Sequence, residues 1–297
     1  MSALAARRTT AFAPASVGNV GVGFDILGFS VDVLGDRVTA SVSPAQGVTI
    51  KTISGVVGDL PLEASQNTAG RAVQALVEAA APGFGIELEI EKGIPLGSGL
   101  GGSAASAVAA VVAANGLLAS PFSKLELLKF AMEGEAVASG SMHVDNIAPS
   151  LFGGLVLTVG VDNPRVKQIP VPKGVRAIVI HPHMYLATRE ARSVLSRTVE
   201  MADFVWQTAN LAGFISGCYT DDLDMIRDSF EDVIIERQRQ SMIPGFPEVR
   251  TAAMEQGALG CSISGAGPSV FAWALAERAP QVLAAMQAQF ASRQIGA

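Results

Sequence analysis

The sequence predicts an α+β fold of two domains, and three observations support this prediction. Strand and helix patterns are mixed along the 297 residues in an order that favours this class. The prolines Pro164, Pro170 and Pro172 interrupt the middle of the chain, which predicts one domain over residues 1–163 and another over residues 164–297. A composition of 49% hydrophobic and 16% charged residues is sufficient to bury a substantial core.

The first domain is predicted to contain five strands and three helices. Ile86, Leu88 and Ile90 alternate with glutamates, which is the period of a strand. The run over residues 104–118 is rich in Ala and Val and has no proline, which favours a helix. The predicted strands cover residues 9–13, 36–42, 48–52, 86–91 and 155–159, and the predicted helices cover residues 68–80, 103–118 and 124–138.

The second domain is predicted to contain fewer strands and more helices. The same patterns predict strands over residues 175–180 and 269–275, and helices over residues 199–216, 222–236, 248–256 and 279–292.

The most informative stretch is residues 94–106, Ile-Pro-Leu-Gly-Ser-Gly-Leu-Gly-Gly-Ser-Ala-Ala-Ser. Glycines let the backbone turn tightly and approach a ligand closely. A predicted strand precedes this loop and a predicted helix follows it, so free N–H groups and the positive end of the helix dipole can face an anion. The stretch therefore predicts a phosphate site.

Three other interpretations of this loop are weaker. A Walker loop has lysine where this chain has Ser103. Gly97, Gly99 and Gly102 match the dinucleotide fingerprint, but helix continues where a short helix, a second strand and an acidic residue are required. A turn that only packs a helix on a sheet poorly explains four glycines and two serines within seven positions.

Composition excludes several classes of protein. The net charge of −6 provides no basic footprint for nucleic acid or an anionic membrane. Cys218 and Cys261 are too few for a disulfide framework and lack metal-ligand spacing. The uncharged stretch 93–123 is broken by Pro95, and its apolar part of about 15 residues is too short for a membrane span, which favours a buried central helix. Since no signal pattern is evident, a cytoplasmic location is expected.

Three glycine-bearing motifs, at residues 14–28, 95–106 and 260–271, follow in an order that resembles the GHMP kinases. That family includes galactokinase, homoserine kinase, mevalonate kinase and phosphomevalonate kinase. The resemblance covers nearly the whole chain. It implies an N-terminal domain like domain 2 of ribosomal protein S5, a ferredoxin-like C-terminal domain, and phosphorylation of a small alcohol by ATP with Mg²⁺.

Within the family, residues 140–154, residues 188–192, and Arg239 followed by residues 243–245 are similar to the homoserine kinase branch. This implies transfer of phosphate from ATP to the hydroxyl of L-homoserine, giving O-phospho-L-homoserine on the way to threonine. A mevalonate-type kinase is one alternative, but mevalonate has no ammonium for Asp25 to bind. A ligand sensor without turnover is another, although a sensor need not keep the metal-binding positions Ser103 and Glu135. L-Homoserine and ATP are the expected partners, and a homodimer is left open.

The resemblance also implies a set of ATP-binding and metal-binding positions. Gly102 stands where a serine is common in the family, so Ser103 is expected to bind Mg²⁺ together with Glu135. Lys92 is expected to reach the nucleotide, with a solvated lysine at the strand end as the alternative. The ATP-binding positions are Asn67, Lys92, Pro95, Leu96, Gly97, Ser98, Gly99, Leu100, Gly101, Gly102, Ser103 and Ala104.

The substrate positions follow the charges of an amino acid. Asn19 and Asp25 suit the ammonium and hydroxyl end, while Arg192 and Arg239 suit the carboxylate, which guanidinium binds with two prongs. Further substrate contacts are expected from His143, Thr188 and Asn146. Asp145, Asn146 and Glu135 form the predicted catalytic group. Asp145 is the candidate base, and the alternative is loss of the alcohol proton to the γ-phosphate or to solvent.

Overall fold

The computed structural model describes residues 5–139 and 144–297, which form two units. Two short segments of the predicted first domain, Val17–Gly28 and Gly97–Leu100, belong to the second unit together with Lys167–Ala297. The first unit contains the chain up to Ser16, Phe29–Leu96 and Gly101–Val166. The glycine loop is therefore divided between the units: Gly97–Leu100 belongs to the second, and the residues on either side belong to the first.

The first unit is built on a six-stranded sheet of order β3-β4-β2-β5-β6, in which β1 also pairs with β2. The strands of this sheet are β1 (Arg8–Gly18), β2 (Leu27–Ser43), β3 (Val48–Gly55), β4 (Gly85–Lys92), β5 (Leu155–Val159) and β6 (Arg165–Ile169), of which the end of β1, the start of β2 and most of β6 belong to the second unit. The helices of the first unit are α1 (Thr68–Ala80), α2 (Gly102–Asn115), α3 (Lys124–Ser139) and α4 (Val144–Phe152).

Helix α2 is the centre of this unit and packs against α1, α3 and α4. From Ala104 to Ala114 only Val112 is exposed, so the helix is apolar on nearly every side, as a core helix must be. The expectation of a buried central helix is confirmed. Strand β4, which is antiparallel to β2 and parallel to β3, leads into the glycine loop and so positions the start of α2.

The second unit contains an antiparallel three-stranded sheet of order β7-β9-β8. Its strands are β7 (Val175–Ile180), β8 (Ala258–Ile263) and β9 (Val270–Leu275), and its helices are α5 (Thr188–Ser193), α6 (Met201–Thr220), α7 (Leu223–Asp228), α8 (Ile235–Arg239), α9 (Phe246–Glu255) and α10 (Ala279–Ser292). Phe246 on α9 and Phe290 on α10 pack with Ile178 and Val270 in a buried core. The mixed architecture of both units confirms the predicted α+β class.

The predicted helix over residues 222–236 is wrong, because the segment forms two short helices, α7 and α8. Between them Phe230 is buried, and its ring centroid lies 5.2 Å from that of Phe214 and 5.7 Å from that of Trp273. Asp232 then accepts hydrogen bonds from the N–H groups of Ile234 and Ile235. Tertiary burial of an aromatic side chain thus interrupts a locally favourable helix.

Four elements were absent from the sequence prediction: α4, β6, α5 and β8. Pro149 lies inside α4 and resembles a helix breaker in the sequence. Strand β8 reads Ala-Leu-Gly-Cys-Ser-Ile, and its small residues give little strand signal until β9 pairs with it. In the described part of the chain, no helix has both the length and the apolar character needed to cross a membrane.

Candidate functional site

The second half of the glycine loop leads directly into α2 in the first unit. Gly101 has φ 66° and occupies the N-cap, so α2 begins without a side-chain cap and its first N–H groups are available to an anion. A Cβ at Gly101 would lie 2.2 Å from Ser16 Oγ and 2.9 Å from Asn146 Oδ1. Ser16 donates a hydrogen bond of 3.0 Å to the same oxygen of Asn146. The close approach of these two side chains explains why position 101 requires glycine. It also places the predicted residue Asn146 against the loop.

The predicted metal-binding residues Ser103 and Glu135 are in contact. Ser103 Oγ donates a 2.9 Å hydrogen bond to Glu135 Oε1, joining the first turn of α2 to α3. Glu135 is 5% exposed, and Asp145 in the first turn of α4 is 2% exposed. Burial raises the pKa of Glu135 to about 8; the negative charge of Asp145 also raises it, while the Ser103 hydrogen bond and the positive charge of Lys92 lower it.

The chemistry of this group fits Mg²⁺. Two carboxylates in a water-poor environment are unfavourable when both are charged, and a divalent cation would compensate them. Mg²⁺ is commonly bound by one or two carboxylates while phosphates and waters complete its shell. The residues that the structure describes contain no group of three or more His, Cys, Asp or Glu side chains that could bind a metal, and an ion held mainly by phosphates and waters does not require one. Ser103, Glu135 and Asp145 are therefore suitable ligands.

Lys92 is buried, which excludes the alternative of a solvated lysine at the strand end. It is 3% exposed and forms an ion pair with Asp36, which is fully buried. Its ammonium also donates to the Gly102 carbonyl at 2.7 Å and to Ser106 Oγ at 2.8 Å. An ammonium has three protons to donate, and these partners use all three. The geometry thus favours a structural role over the expected contact with nucleotide.

The other predicted nucleotide positions of the first unit differ in how accessible they are. Asn67 caps α1 by accepting hydrogen bonds from Ala69 and Gly70, and donates another to the Pro61 carbonyl, so its side chain has several partners within the protein. Leu96 is exposed, while Pro95, Gly102 and Ser103 are half-buried and Ala104 is buried.

The three glycine motifs, which are far apart in sequence, meet within the second unit. A Cβ at Gly99, where φ is 76°, would lie 2.6 Å from the carbonyl oxygens of Ser264 and Gly267. Ser264 Oγ donates to the Gly99 carbonyl at 2.7 Å. The Gly265 N–H donates to Gly18 at 3.1 Å, and its carbonyl accepts from Asn19 Nδ2 at 2.8 Å. The parts of the three motifs that lie in the second unit, residues 17–28, 97–100 and 260–271, therefore share one hydrogen-bonded network.

The remaining loop positions of the second unit belong to the same arrangement. Ser98 is buried and its carbonyl accepts from the Ser269 N–H at 3.1 Å, while the Gly97 carbonyl accepts from the Leu186 N–H at 3.2 Å. Leu100 is buried.

Asp25 and Arg192 form a partly exposed ion pair in the second unit. One guanidinium nitrogen of Arg192 lies 2.7 and 2.8 Å from the two carboxylate oxygens of Asp25. The Asp25 N–H donates to Asn19 Oδ1 at 3.1 Å, and Asp25 has φ 62°, so the residue is held in the left-handed region by its surroundings. The side chains of Arg192 and Asp25 are 33% and 38% exposed, so solvent and small ligands can reach the pair.

Arg239 lies deeper than Arg192 in the same unit. It is 3% exposed and donates to the carbonyls of Ala191 at 2.9 Å and Gly265 at 3.2 Å. Both guanidinium groups lie over the ring of Phe24, at 5.4 Å for Arg192 and 5.2 Å for Arg239. The aromatic face stabilises two neighbouring cations, as cation–π contacts do.

Two further residues are predicted substrate positions. Thr188 is exposed at the first residue of α5, and His143 lies outside the described residues.

Sequence reasoning missed several residues that the structure brings into these sites: Ser16, Phe24, Asp36, Ser106 and Ser264. Phe24 lies beside Asp25 in the first motif, and Ser264 lies in the third, so proximity to the motifs was the available signal. Lys92 continues the inward series Ile86, Leu88, Ile90 of β4, and this period of two could have indicated its burial.

Comparison with known proteins agrees with these arrangements. The family model of the GHMP kinases N terminal domain matches residues 67–154, and that of the GHMP kinases C terminal domain matches residues 214–292. A curated relative from Xanthomonas campestris, named homoserine kinase, is 50% identical over 94% of this chain and 87% of its own. The chain belongs to the GHMP kinase family.

Other members of the GHMP kinase family are similarly close. A homoserine kinase from Xylella fastidiosa is 47% identical over 97% of this chain and 90% of its own. A crystal structure of homoserine kinase from Cytophaga hutchinsonii superposes with a TM-score of 0.94, at 44% identity over 98% of this chain and 93% of that one. Membership of the GHMP kinases implies an enzyme that uses ATP.

Proposed function

We propose that this protein transfers the γ-phosphoryl group of ATP to the hydroxyl of L-homoserine, with Mg²⁺, and forms O-phospho-L-homoserine. The observation that carries this assignment is the accessible Asp25–Arg192 pair, which offers one negative and one positive group in direct contact. A zwitterionic amino acid presents the complementary charges. Relatives named homoserine kinase, at 41–50% identity over nearly their full length, support the same acceptor.

Binding of the acceptor is an exchange of ionic partners. The ammonium of homoserine replaces the guanidinium beside Asp25, and its carboxylate takes the guanidinium of Arg192 in a two-pronged contact. The contacts of Arg239 with two backbone carbonyls and Phe24 favour a supporting role for that residue in the same cluster. Because both charges of the pair are satisfied together, a ligand that carries only one of them leaves the other without compensation.

Phosphoryl transfer depends mainly on alignment and neutralisation of charge. The N–H groups at the start of α2 would bind phosphate oxygens, and Ser103 and Glu135, with Asp145 near Glu135, would hold Mg²⁺. When bound, Mg²⁺ neutralises charge on the phosphate oxygens. The proximity of Asp145 to Glu135 favours a role for its charge at the metal, so the alcohol proton passes to a phosphate oxygen and no dedicated base is required.

A substrate panel with ATP and Mg²⁺ tests the assignment. L-Homoserine is expected to exceed mevalonate and galactose by at least tenfold in kcat/KM, about 1.4 kcal/mol. Two matched acceptors separate the charges: 4-hydroxybutyrate lacks the ammonium and L-homoserinol lacks the carboxylate, and both are expected to be poor. Equal or better turnover of mevalonate would contradict the proposal. Binding of homoserine without release of ADP would favour a ligand sensor instead.

A further inference from the structure

A buried polar cluster lies beneath the glycine loop in the first unit. It consists of Asp36 on β2, Lys92 at the end of β4 and Ser106 on α2, which we call the loop clasp. Their exposed fractions are 0%, 3% and 4%. Asp36 and Lys92 lie next to the cross-strand pair of Arg37 and Glu91, so the pairing of β2 with β4 brings the two charges together.

The clasp is fully hydrogen-bonded within the protein. Lys92 donates to Asp36 Oδ2, to Ser106 Oγ at 2.8 Å and to the Gly102 carbonyl at 2.7 Å, and Ser106 in turn donates to Asp36 Oδ2 at 2.6 Å. Buried ion pairs contribute little net stability compared with apolar residues of similar size. A cluster of this kind is therefore better explained by the geometry it imposes than by the stability it adds.

The clasp binds the chain on both sides of the loop. Before the loop, the N–H groups of Gly93 and Ile94 donate to Asp36 Oδ1 at 3.0 and 3.2 Å. After the loop, Lys92 and Asp36 hold Gly102 and Ser106. Both ends of the segment 95–101 are thereby attached to one carboxylate–ammonium pair.

The contact at Gly102 also orients Ser103. In a trans peptide the C=O and the N–H lie in one plane and point in opposite directions. Anchoring the Gly102 carbonyl to Lys92 therefore sets the direction of the Ser103 N–H at the open end of α2. The peptide between Gly102 and Ser103 also sets the position of the Ser103 side chain, whose hydroxyl lies 2.9 Å from Glu135 Oε1. The Lys92 contact thus reaches the phosphate and metal positions through the backbone.

We propose that Asp36, Lys92 and Ser106 are positioning residues for phosphoryl transfer. They act through the backbone of Gly102 and Ser103, and they touch neither nucleotide nor acceptor. The clasp presets the loop before ATP arrives, so that phosphate binding does not have to order the chain. This inference rests on the nucleotide site of the proposed function, but it does not depend on which alcohol is phosphorylated.

The decisive variant is Ser106→Ala, compared with Ser150→Ala as a matched control. Ser150 is also buried in the first unit, and it donates a 2.9 Å hydrogen bond to the Pro14 carbonyl, which is not a member of the clasp. Each variant removes one buried hydroxyl from a helix. Ser106→Ala is expected to lose more thermal stability, because its hydroxyl is hydrogen-bonded to the charged groups of Lys92 and Asp36, so both variants are compared at a temperature at which they are folded. Ser106→Ala is expected to lower kcat at saturating ATP at least fivefold and to weaken Mg²⁺–AMP-PNP binding at least threefold by calorimetry. The acceptor KM should stay unchanged, and Ser150→Ala should alter none of these quantities.

The proposal is overturned if folded Ser106→Ala keeps wild-type kcat and wild-type AMP-PNP affinity, whatever its loss of thermal stability. Lys92→Met is a stronger change and leaves Asp36 buried without its cation, so the milder Ser106→Ala decides the matter if Lys92→Met does not fold. A folded Lys92→Met protein that binds AMP-PNP normally would also overturn it. Because the AMP-PNP measurement contains no acceptor, a failure of the homoserine assignment would appear only in the substrate panel.

Discussion

Glu135 in the first unit and Asp25 in the second are both carboxylates of the candidate sites, but their surroundings differ. Glu135 is 5% exposed, accepts a hydrogen bond from the neutral Ser103 hydroxyl and lies near another carboxylate, that of Asp145. The Asp25 side chain is 38% exposed and is paired at 2.7 Å with the guanidinium of Arg192. One group is buried beside a like charge, while the other is compensated within the protein and is partly solvated.

This difference indicates how each site obtains its specificity. Burial makes the charged form of Glu135 unfavourable and raises its pKa to about 8. A cation that arrives with the ligand therefore stabilises the charged carboxylate strongly. The Asp25–Arg192 pair is already neutral overall, so a ligand must replace both partners at once. A metal–nucleotide complex suits the first environment and a zwitterion suits the second.

The largest effect is expected at Glu135. Glu135→Gln keeps the shape but removes the negative charge that would bind Mg²⁺, and kcat should fall at least a hundredfold, about 2.7 kcal/mol of transition-state stabilisation. The measurement is kcat over a range of Mg²⁺ concentrations. Glu133→Gln is the control, since Glu133 lies on the same helix with its side chain 55% exposed. Near-normal turnover of Glu135→Gln at limiting Mg²⁺ would show that the metal binds elsewhere.

A smaller effect, confined to the acceptor, is expected at Arg192. Arg192→Ala removes the group that binds the carboxylate, so the KM for homoserine should rise at least tenfold while the KM for ATP changes little. Some loss of kcat is also expected, because a loosely held alcohol is poorly aligned. Arg192→Lys should recover only part of the loss, since an ammonium lacks the planar fork.

Arg237→Ala serves as the control for Arg192, because Arg237 is exposed and pairs with Asp203 at 3.5 Å. Steady-state rates measured over both substrate concentrations separate the two KM values. A variant of Arg192 that raised the KM for ATP and left the KM for homoserine unchanged would assign this arginine to the nucleotide site. Asp25 and Glu135 would then no longer serve two different ligands.

The smallest effect is on stability without ligands. Because the folded protein binds the Glu135 proton more tightly than the unfolded chain, this group contributes stability below its unfolded pKa of 4.5, and that contribution is lost as the pH rises towards about 8. Glu135→Gln stays neutral throughout. Its Tm relative to the wild type should therefore increase between pH 5 and pH 8 by a few degrees, on the order of 1 kcal/mol. A Tm difference that does not change with pH would contradict the raised pKa of the buried Glu135 carboxyl.

Where local patterns were strong, the sequence alone predicted the secondary structure. The bounds of α1, β5, β7 and α10 coincide with the predicted ranges, because periodicity and helix propensity are local properties. The elements that were missed depend on distant partners. Strand β8 requires β9, and the break before α8 requires the burial of Phe230.

The same division applies to the candidate sites. The residues of the glycine loop, and the acidic and basic residues suited to an amino acid and a metal, were determined by the sequence and its family resemblance. Their pairing was decided only by tertiary structure: Asp25 with Arg192 across 167 positions, Ser103 with Glu135 across 32, and Lys92 with Asp36 across 56. Periodicity specifies which face of an element is buried, but the partner of a buried charge depends on which elements pack there. For that reason the sequence indicated a phosphate loop, whereas the ion pair beneath it became visible only in the folded chain.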